Sequence, residues 1–389
     1  MSRTNLSTFC RIADLPTAPF AEQHVAAYIR GLVARYPQLR MGTDPFGNLL
    51  VKYTPPKRGR ARRSGRPILF AAHMDHPGFR AERMLDKHHV EASWRGGVQA
   101  AYFTKERIRF LVDGRWVPAT IEKVILPRPP GRRRGAARSA ATDVRPEAVI
   151  ARVAHPVPAG SIGMWAIGDA VIRGGRVHAR TCDDAAGVAA IVCTLEAICR
   201  RGIASPCYAC FTRAEEVGFG GALTAVEART IPQDALIVAV ECSKALPSAP
   251  LGDGPVLRVG DKASVFTPAV TAYCQAVAER LMAGDKSFRY QRKLMDGGTC
   301  ESTAYCHYGY EATCVCLPLA NYHNMDVERR KIAPESVDTR DFINLVKLFT
   351  AIAAAPARQP FDGRDPVLGK RLDGLRRKHR RRLLKTPIR

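Results

Sequence analysis

Two histidines and three glutamates stand where short apolar runs stop. His73 closes PILFAA (67–72), Glu215 and Glu216 follow CYACFTR (207–213), Glu241 follows ALIVAV (235–240), and His323 lies shortly beyond ATCVCL (312–317). An aspartate, Asp183, precedes the helical pattern AAGVAAIVCTLEAICRRG. Two imidazoles with this many carboxylates suit zinc, cobalt or manganese. A carboxylate shared by two such ions holds them roughly 3.5–4 Å apart, close enough to share one water. A further carboxylate that binds no metal can take that water's proton and later pass it to a leaving amine. Glu215 and Glu216 offer one residue for each task, because adjacent side chains leave a turn in different directions.

Each residue alone has a plainer explanation. A histidine after a strand is commonly a hydrogen-bonded structural residue, Asp183-Asp184 before a helix reads as a cap, and Glu-Glu at a turn reads as a solvated corner. Glu241 directly after ALIVAV is harder to explain that way, since an isolated buried carboxylate is costly. What favours a site is the coincidence: in open α/β sheets, sites form outside the carboxyl ends of strands, and four separate runs each deliver a ligand-type residue there.

The elements that must hold these residues alternate. Residues 20–34 have the spacing of an amphipathic helix, and TDPFGNLLVKY has a turn signal opening a strand. The runs 67–72, 207–213, 235–240 and 312–317 are continuously apolar, as strands buried on both faces are. AAGVAAIVCTLEAICRRG reads as a helix ending in basic residues and Gly202, and a further helix is expected from near Pro334, with Phe342, Leu345, Val346 and Phe349 on one face. Between about Gly78 and Gly163 the segments are short and partly alternating, the pattern of an all-β insert. The expected fold class is therefore α/β, with a catalytic part formed by residues 1–77 and 164–368 around a β-rich insert at 78–163.

Composition narrows the class. In 389 residues, 46% are hydrophobic and 25% charged, a globular balance with room for more than one core. The amino-terminal stretch has no apolar run of signal-peptide length, and no run reaches the roughly 18 residues of a membrane span, so a cytoplasmic protein is expected. The twelve cysteines lie in helical or strand patterns and read as reduced, buried hydrophobes. Cys207 and Cys210 have zinc-knuckle spacing, but three residues apart on a strand they face opposite ways. The net charge of +24 is carried by three segments: 57–66, expected to be a hairpin loop, holds +6, the basic loop at 123–145 holds +6, and 370–389 holds +9. They account for +21 of the total, so the remaining chain is near neutral. The Pro/Gly/Ala/Arg-rich loop and the tail from residue 369 are expected to be disordered. Nucleic-acid or anionic-surface binding through these segments is the less favoured reading, because they lack the interleaved aromatics on which bases stack.

Together, AAHMDHPGF, TCDDAAGVAA, TRAEEVGFGGA, VAVEC, GDGPVLRVGD, DGGTCESTAY and NYHNM occur in the order seen in co-catalytic dizinc exopeptidases. Over most of residues 20–355 the chain resembles the glutamyl and deblocking aminopeptidases, whose best-known members form tetrahedral dodecamers. The placement of the insert, between His73 and Asp183, is that family's and differs from its leucyl aminopeptidase and carboxypeptidase relatives. The resemblance implies a dizinc exopeptidase fold: a mixed sheet sandwiched by helices, with an inserted all-β domain used for assembly. It implies two divalent metal ions, zinc in the first place, with Asp183 as the bridge. His73 and Glu241 would complete one site and Glu216 and His323 the other, with Glu215 as general base to a metal-bridging water. Asp75 would hydrogen-bond the His73 imidazole, and a non-proline cis peptide would join Asp183 to Asp184.

Three departures from the family pattern bear on side-chain preference: Glu241 in place of Asp, His76 beside the first ligand, and Cys300-Glu301 where Asp commonly follows Thr. The implied function is a metal-dependent aminopeptidase acting on peptide substrates, as a homo-oligomer between dimer and dodecamer. The alternative from the same superfamily is a dipeptidase or N-acyl amino acid deacylase.

Overall fold

The computed structural model describes residues 2–56, 65–128, 144–355 and 366–385. The chain begins with helices α1 (Ser2–Ala13) and α2 (Gln23–Val33) and strands β1 (Leu39–Thr43), β2 (Leu49–Tyr53) and β3 (Ile68–His73). Then come β4 (Gly78–Met84), β5 (His89–Arg95), β6 (Arg107–Val112), β7 (Arg115–Ile125), β8 (Ala148–Val153) and β9 (Ile162–Trp165). Two short strands, β10 (Val171–Arg173) and β11 (Arg176–Ala179), lead to α3 (Ala185–Arg201), β12 (Cys207–Thr212), α4 (Gly220–Glu227), β13 (Leu236–Lys244) and β14 (Val256–Gly260). They are followed by α5 (Pro268–Gly284), β15 (Gln291–Leu294), α6 (Glu301–His307) and β16 (Glu311–Leu319). The chain closes with β17 (Met325–Asp326), β18 (Lys331–Ile332), β19 (Glu335–Asp338), α7 (Thr339–Ala354) and α8 (Pro366–Lys385).

One mixed sheet of eight strands, in the order β1-β2-β12-β3-β13-β16-β14-β15, runs through the body. Its centre, β12-β3-β13-β16, is parallel. Those strands are the continuously apolar runs, because a strand covered on both faces has no side free for polar residues. Alternation along β3 shows the two covers: Ile68, Phe70 and Ala72 pack among residues of α1, α2, α3, α5 and α7. Leu69 and Ala71 pack with Ala222 and Ala225 of α4 and with Ala304 and Tyr305 of α6. Cys207 and Cys210 fall in these two different cores, on opposite faces of the sheet.

Residues 78–165 form a closed six-stranded barrel, in the order β4-β5-β8-β7-β6-β9. It has its own core, in which Phe79 lies 4.7 Å from Trp94 and 5.0 Å from Trp165, ring centroid to centroid. The barrel closes two residues later than the sequence boundary at 163, because β9 must pair with both β4 and β6.

Several boundaries differ from expectation. His73 is the last residue of β3 and Glu241 lies inside β13, which runs on to Lys244 along the full length of β16. The helix expected from near Pro334 starts at Thr339, where the Asp338 carboxylate accepts the amide of Arg340 as an N-cap. The preceding ESVD is β19, paired with β11. The amphipathic α1, with Phe9 stacked 4.9 Å from Phe342, was not anticipated. Lys123–Ile125 belong to β7 rather than to the basic loop, and residues 129–143 and 57–64 of the two basic segments lie outside the described residues. Residues 369–385 of the basic tail, expected without order, belong to α8, where Leu372 and Leu375 are exposed and Leu, Arg and Lys favour a helix. No helix among the described residues is long and apolar enough to cross a membrane.

Candidate metal centre

The carboxyl edge of the central parallel strands brings all seven sequence-predicted residues together. His73 arrives at the end of β3, Glu241 in β13 beside it, and Glu215 and Glu216 in the single 3-10 turn after β12. His323 sits in a second 3-10 turn after β16, with φ of 54°, between Asn321 and Asn324, which also have positive φ. Asp183 lies one residue before Asp184, which caps α3 by accepting the Gly187 amide at 3.1 Å, and the Asp183–Asp184 peptide is cis.

Asp183 is central. Its Oδ1 lies 3.3 Å from His73 Nε2, and its Oδ2 lies 3.7 Å from His323 Nε2. Glu241 Oε1 is 3.8 Å from the same nitrogen of His73, and Glu216 Oε2 is 3.1 Å from that of His323. Two triads result, His73/Asp183/Glu241 and Asp183/Glu216/His323, with one aspartate common to both. Glu215 groups with His73 and Glu216.

These atoms fit divalent cations. His73 Nε2, Asp183 Oδ1 and Glu216 Oε1 are buried, and none has an aligned hydrogen-bond partner. Ligands about 2.0–2.1 Å from one tetrahedral ion lie about 3.3 Å from each other, the spacing of the first two. The charges point the same way. Burial, reinforced by Glu241 and Glu216, pushes the Asp183 carboxyl well above the usual range. Burial, with Glu241 and Glu216 beside it, does the same to Glu215, against the pull of His73. Burial also opposes ionisation of Glu241, but His73, Asp183 and Arg258 together outweigh it and hold that carboxyl low. A packed set of buried carboxylates needs added positive charge to stay ionised together.

Asp75 fixes the turn that carries the glutamates. Its Oδ1 accepts the Glu215 amide at 3.0 Å and its Oδ2 the Glu216 amide at 3.1 Å. The same Oδ1 lies 3.5 Å from His73 Nδ1, which also meets the Asp75 carbonyl at 3.2 Å. The imidazole thus meets the Asp75 main-chain carbonyl, while the carboxylate stands beside it and is engaged by two main-chain amides.

The profile of the M42 glutamyl aminopeptidases matches residues 57–333 of this sequence. The chain belongs to that family. As an M42 protein it is a peptide hydrolase of the aminopeptidase type, in a metal-dependent family. A curated protein of Acetivibrio thermocellus, provisionally named an aminopeptidase, is 26% identical over 323 residues, covering 78% of this chain and 85% of that protein. An aminopeptidase from the archaeon Desulfurococcus kamchatkensis has the same fold, with a TM-score of 0.73, 20% identity, and coverage of 94% of this chain and 99% of that one. The Pyrococcus horikoshii TET1 peptidase, described as assembling into a tetrahedron or a large octahedral shell, superposes with a TM-score of 0.70 at 18% identity. That match covers 90% of this chain and 99% of that one.

Further residues brace the M42 site; of them the sequence singled out His76, for side-chain preference, and missed Glu22 and Glu335. His76 meets the Asp183 carbonyl through Nδ1 at 2.6 Å and Asn324 Oδ1 through Nε2 at 3.1 Å, and burial next to Arg180 holds it neutral. Glu22 accepts the amides of Phe20 and Ala214 and pairs with Arg213 at 2.8 Å, bracing the start of the glutamate turn. Glu335 was hidden inside a segment read as helix. No pattern of spacing marks Glu22 and Glu335; Glu22 meets Ala214 across 192 residues, and only the fold brings them close.

Proposed function

We propose that this chain removes amino-terminal residues from peptides at a dinuclear centre, with one ion held by His73, Asp183 and Glu241 and the other by Asp183, Glu216 and His323. The observation that carries this reading is the pair of Asp183 oxygens, each facing a different histidine. When bound, the ions would polarise the scissile carbonyl and lower the pKa of water so that it attacks at neutral pH. Zinc suits the mixed nitrogen and oxygen donors, as do cobalt and manganese.

Glu215 serves as general base. It follows the ligand-carrying strand β12 directly, groups with His73 and Glu216, and its buried carboxyl has a raised proton affinity. A carboxylate of raised pKa is the better acceptor for a proton from the attacking water, and a pKa closer to the working pH lets it pass that proton on to the departing amine. Asp75, by gripping both glutamate amides, keeps Glu215 turned to the reacting groups while Glu216 stays a ligand. A recess of about 60 Å³ beside Glu241, walled by Arg258, Met295, Gly297 and Tyr322, offers the substrate's first side chain a place.

The eight-stranded sheet with its two helical covers supports the dizinc exopeptidase fold. The described residues up to 77 and from 166 to 355 form the catalytic part, and the strands from β4 to the end of β9 at Trp165 an inserted domain. The barrel's separate core supports its use in assembly, and shell formation by the Pyrococcus TET1 peptidase suggests a homo-oligomer of this cytoplasmic chain. Mass measurement in solution tests the assembly. The activity is tested by comparing aminoacyl amides with N-acyl amino acids. Cleavage of the free-amine substrates, lost on chelation and restored by zinc, is expected; hydrolysis of N-acyl substrates alone would replace the aminopeptidase with a deacylase.

A further inference from the structure

Glu335 is fully buried, and its two oxygens are spent on main chain rather than on any cation side chain. Its Oε2 accepts the amide of Cys182 at 2.7 Å and that of Asp183 at 3.0 Å. Its Oε1 accepts the amide of His323 at 2.9 Å. The backbone around it has the same three-way form. Strand β19 pairs with β11 through Ala179 opposite Glu335, and bridges to Ala320 through Ser336. One neighbour leads within four residues to Asp183, the other within three to His323. Each ligand otherwise lies past the end of a paired strand: Asp183 between β11 and α3, and His323 in a turn where Asn321, His323 and Asn324 have positive φ.

From this we infer that Glu335 is a positioning residue: one carboxylate that locks the main chains of Asp183 and His323 together and so sets the spacing of the Asp183/Glu216/His323 site. Two of that site's three ligands hang from it, against one of three at the His73/Asp183/Glu241 site. Removing it weakens the first site more than the second. The inference rests on the two-ion reading of the centre.

The substitution Glu335→Gln keeps the volume but replaces one acceptor oxygen with an NH2 group, which must then face a main-chain N–H. Zinc binding to metal-free protein is followed by competition with a chromophoric chelator, and the unfolding of the metal-free proteins is compared alongside. Wild type is expected to take up two ions, and the variant to hold one of them about 10- to 100-fold less tightly with the other changed little. Glu335→Asp, which keeps both oxygens but retracts them, is expected to fall between the two. If metal-free Glu335→Gln unfolds like wild type and both ions bind as in wild type, the inference is overturned. It is equally overturned if both ions weaken alike in proportion to a loss of folding stability, which would make Glu335 a general structural residue. Failure of the wild-type protein itself to bind two ions would instead bring down the reading of the centre.

Discussion

The backbone of Gly97, in the barrel, lies against the imidazole of His323: a Cβ built on Gly97 would stand 2.9 Å from Nδ1 and 3.0 Å from Cε1. The ring has little room to give, being stacked on Tyr322 with centroids 3.8 Å apart and held 3.1 Å from Glu216. The barrel therefore reaches the metal centre and helps seat one of its ligands.

Gly97→Ala is expected to leave the barrel folded, since its backbone is outside the left-handed region, but to displace His323. Loss of about tenfold in affinity for one ion is the expected scale for disturbing a neighbour of a ligand. Chelator competition measures it, and unchanged retention of both ions would show that the contact is slack.

Glu215→Gln separates binding from chemistry. With the metal ligands untouched, metal content is expected to stay at the wild-type level while kcat falls about 10²- to 10⁴-fold. Activity within a few-fold of wild type would remove Glu215 from the role of base.

Glu301 tests the electrostatics of the surrounding core. Buried at the start of α6, with neither oxygen in an aligned hydrogen bond, its carboxyl is pushed up to about 7 by desolvation, against the pull of His73 and Thr212. The sign follows from linkage: the folded state holds this proton longer than the unfolded state, so stability falls as pH rises from the ordinary glutamate range to about 7 and is flat above. The loss is roughly 3 kcal/mol. In metal-free protein, Glu301→Gln should match wild type near pH 4 and exceed it by that amount at pH 8. Parallel stability curves would contradict the burial effect.

The legible part of this protein was the part written in local pattern. Strands β3, β12, β13 and β16 announced themselves because burial on both faces forces continuous apolar runs, and α3 because its cap, apolar body and Gly202 terminus agree. The proposed ligands stood out because each, apart from Asp183 before α3, sits at or near the end of such a run. The end of β13 was placed a few residues early, since polar Glu241, Ser243 and Lys244 break the apolar pattern while pairing with β16 continues. ESVD was taken into α7 because four residues carry too little periodicity to mark a strand whose partner, β11, lies some 150 residues earlier. Helix α1 did show spacing, with Leu6, Phe9, Cys10 and Ala13 along one face, and its cover is visible once Phe342 is placed against it. Glu335 and Glu22 left no trace, because a carboxylate that accepts distant main-chain amides has no sequence neighbour to betray it.

The central claim is that Asp183 is shared between two ions. The most direct measurement is anomalous diffraction at the zinc edge from crystals of the zinc-loaded protein. Two peaks are predicted, one bounded by His73, Asp183 and Glu241 and the other by Asp183, Glu216 and His323; a single peak, or a second one away from Asp183, would contradict the account.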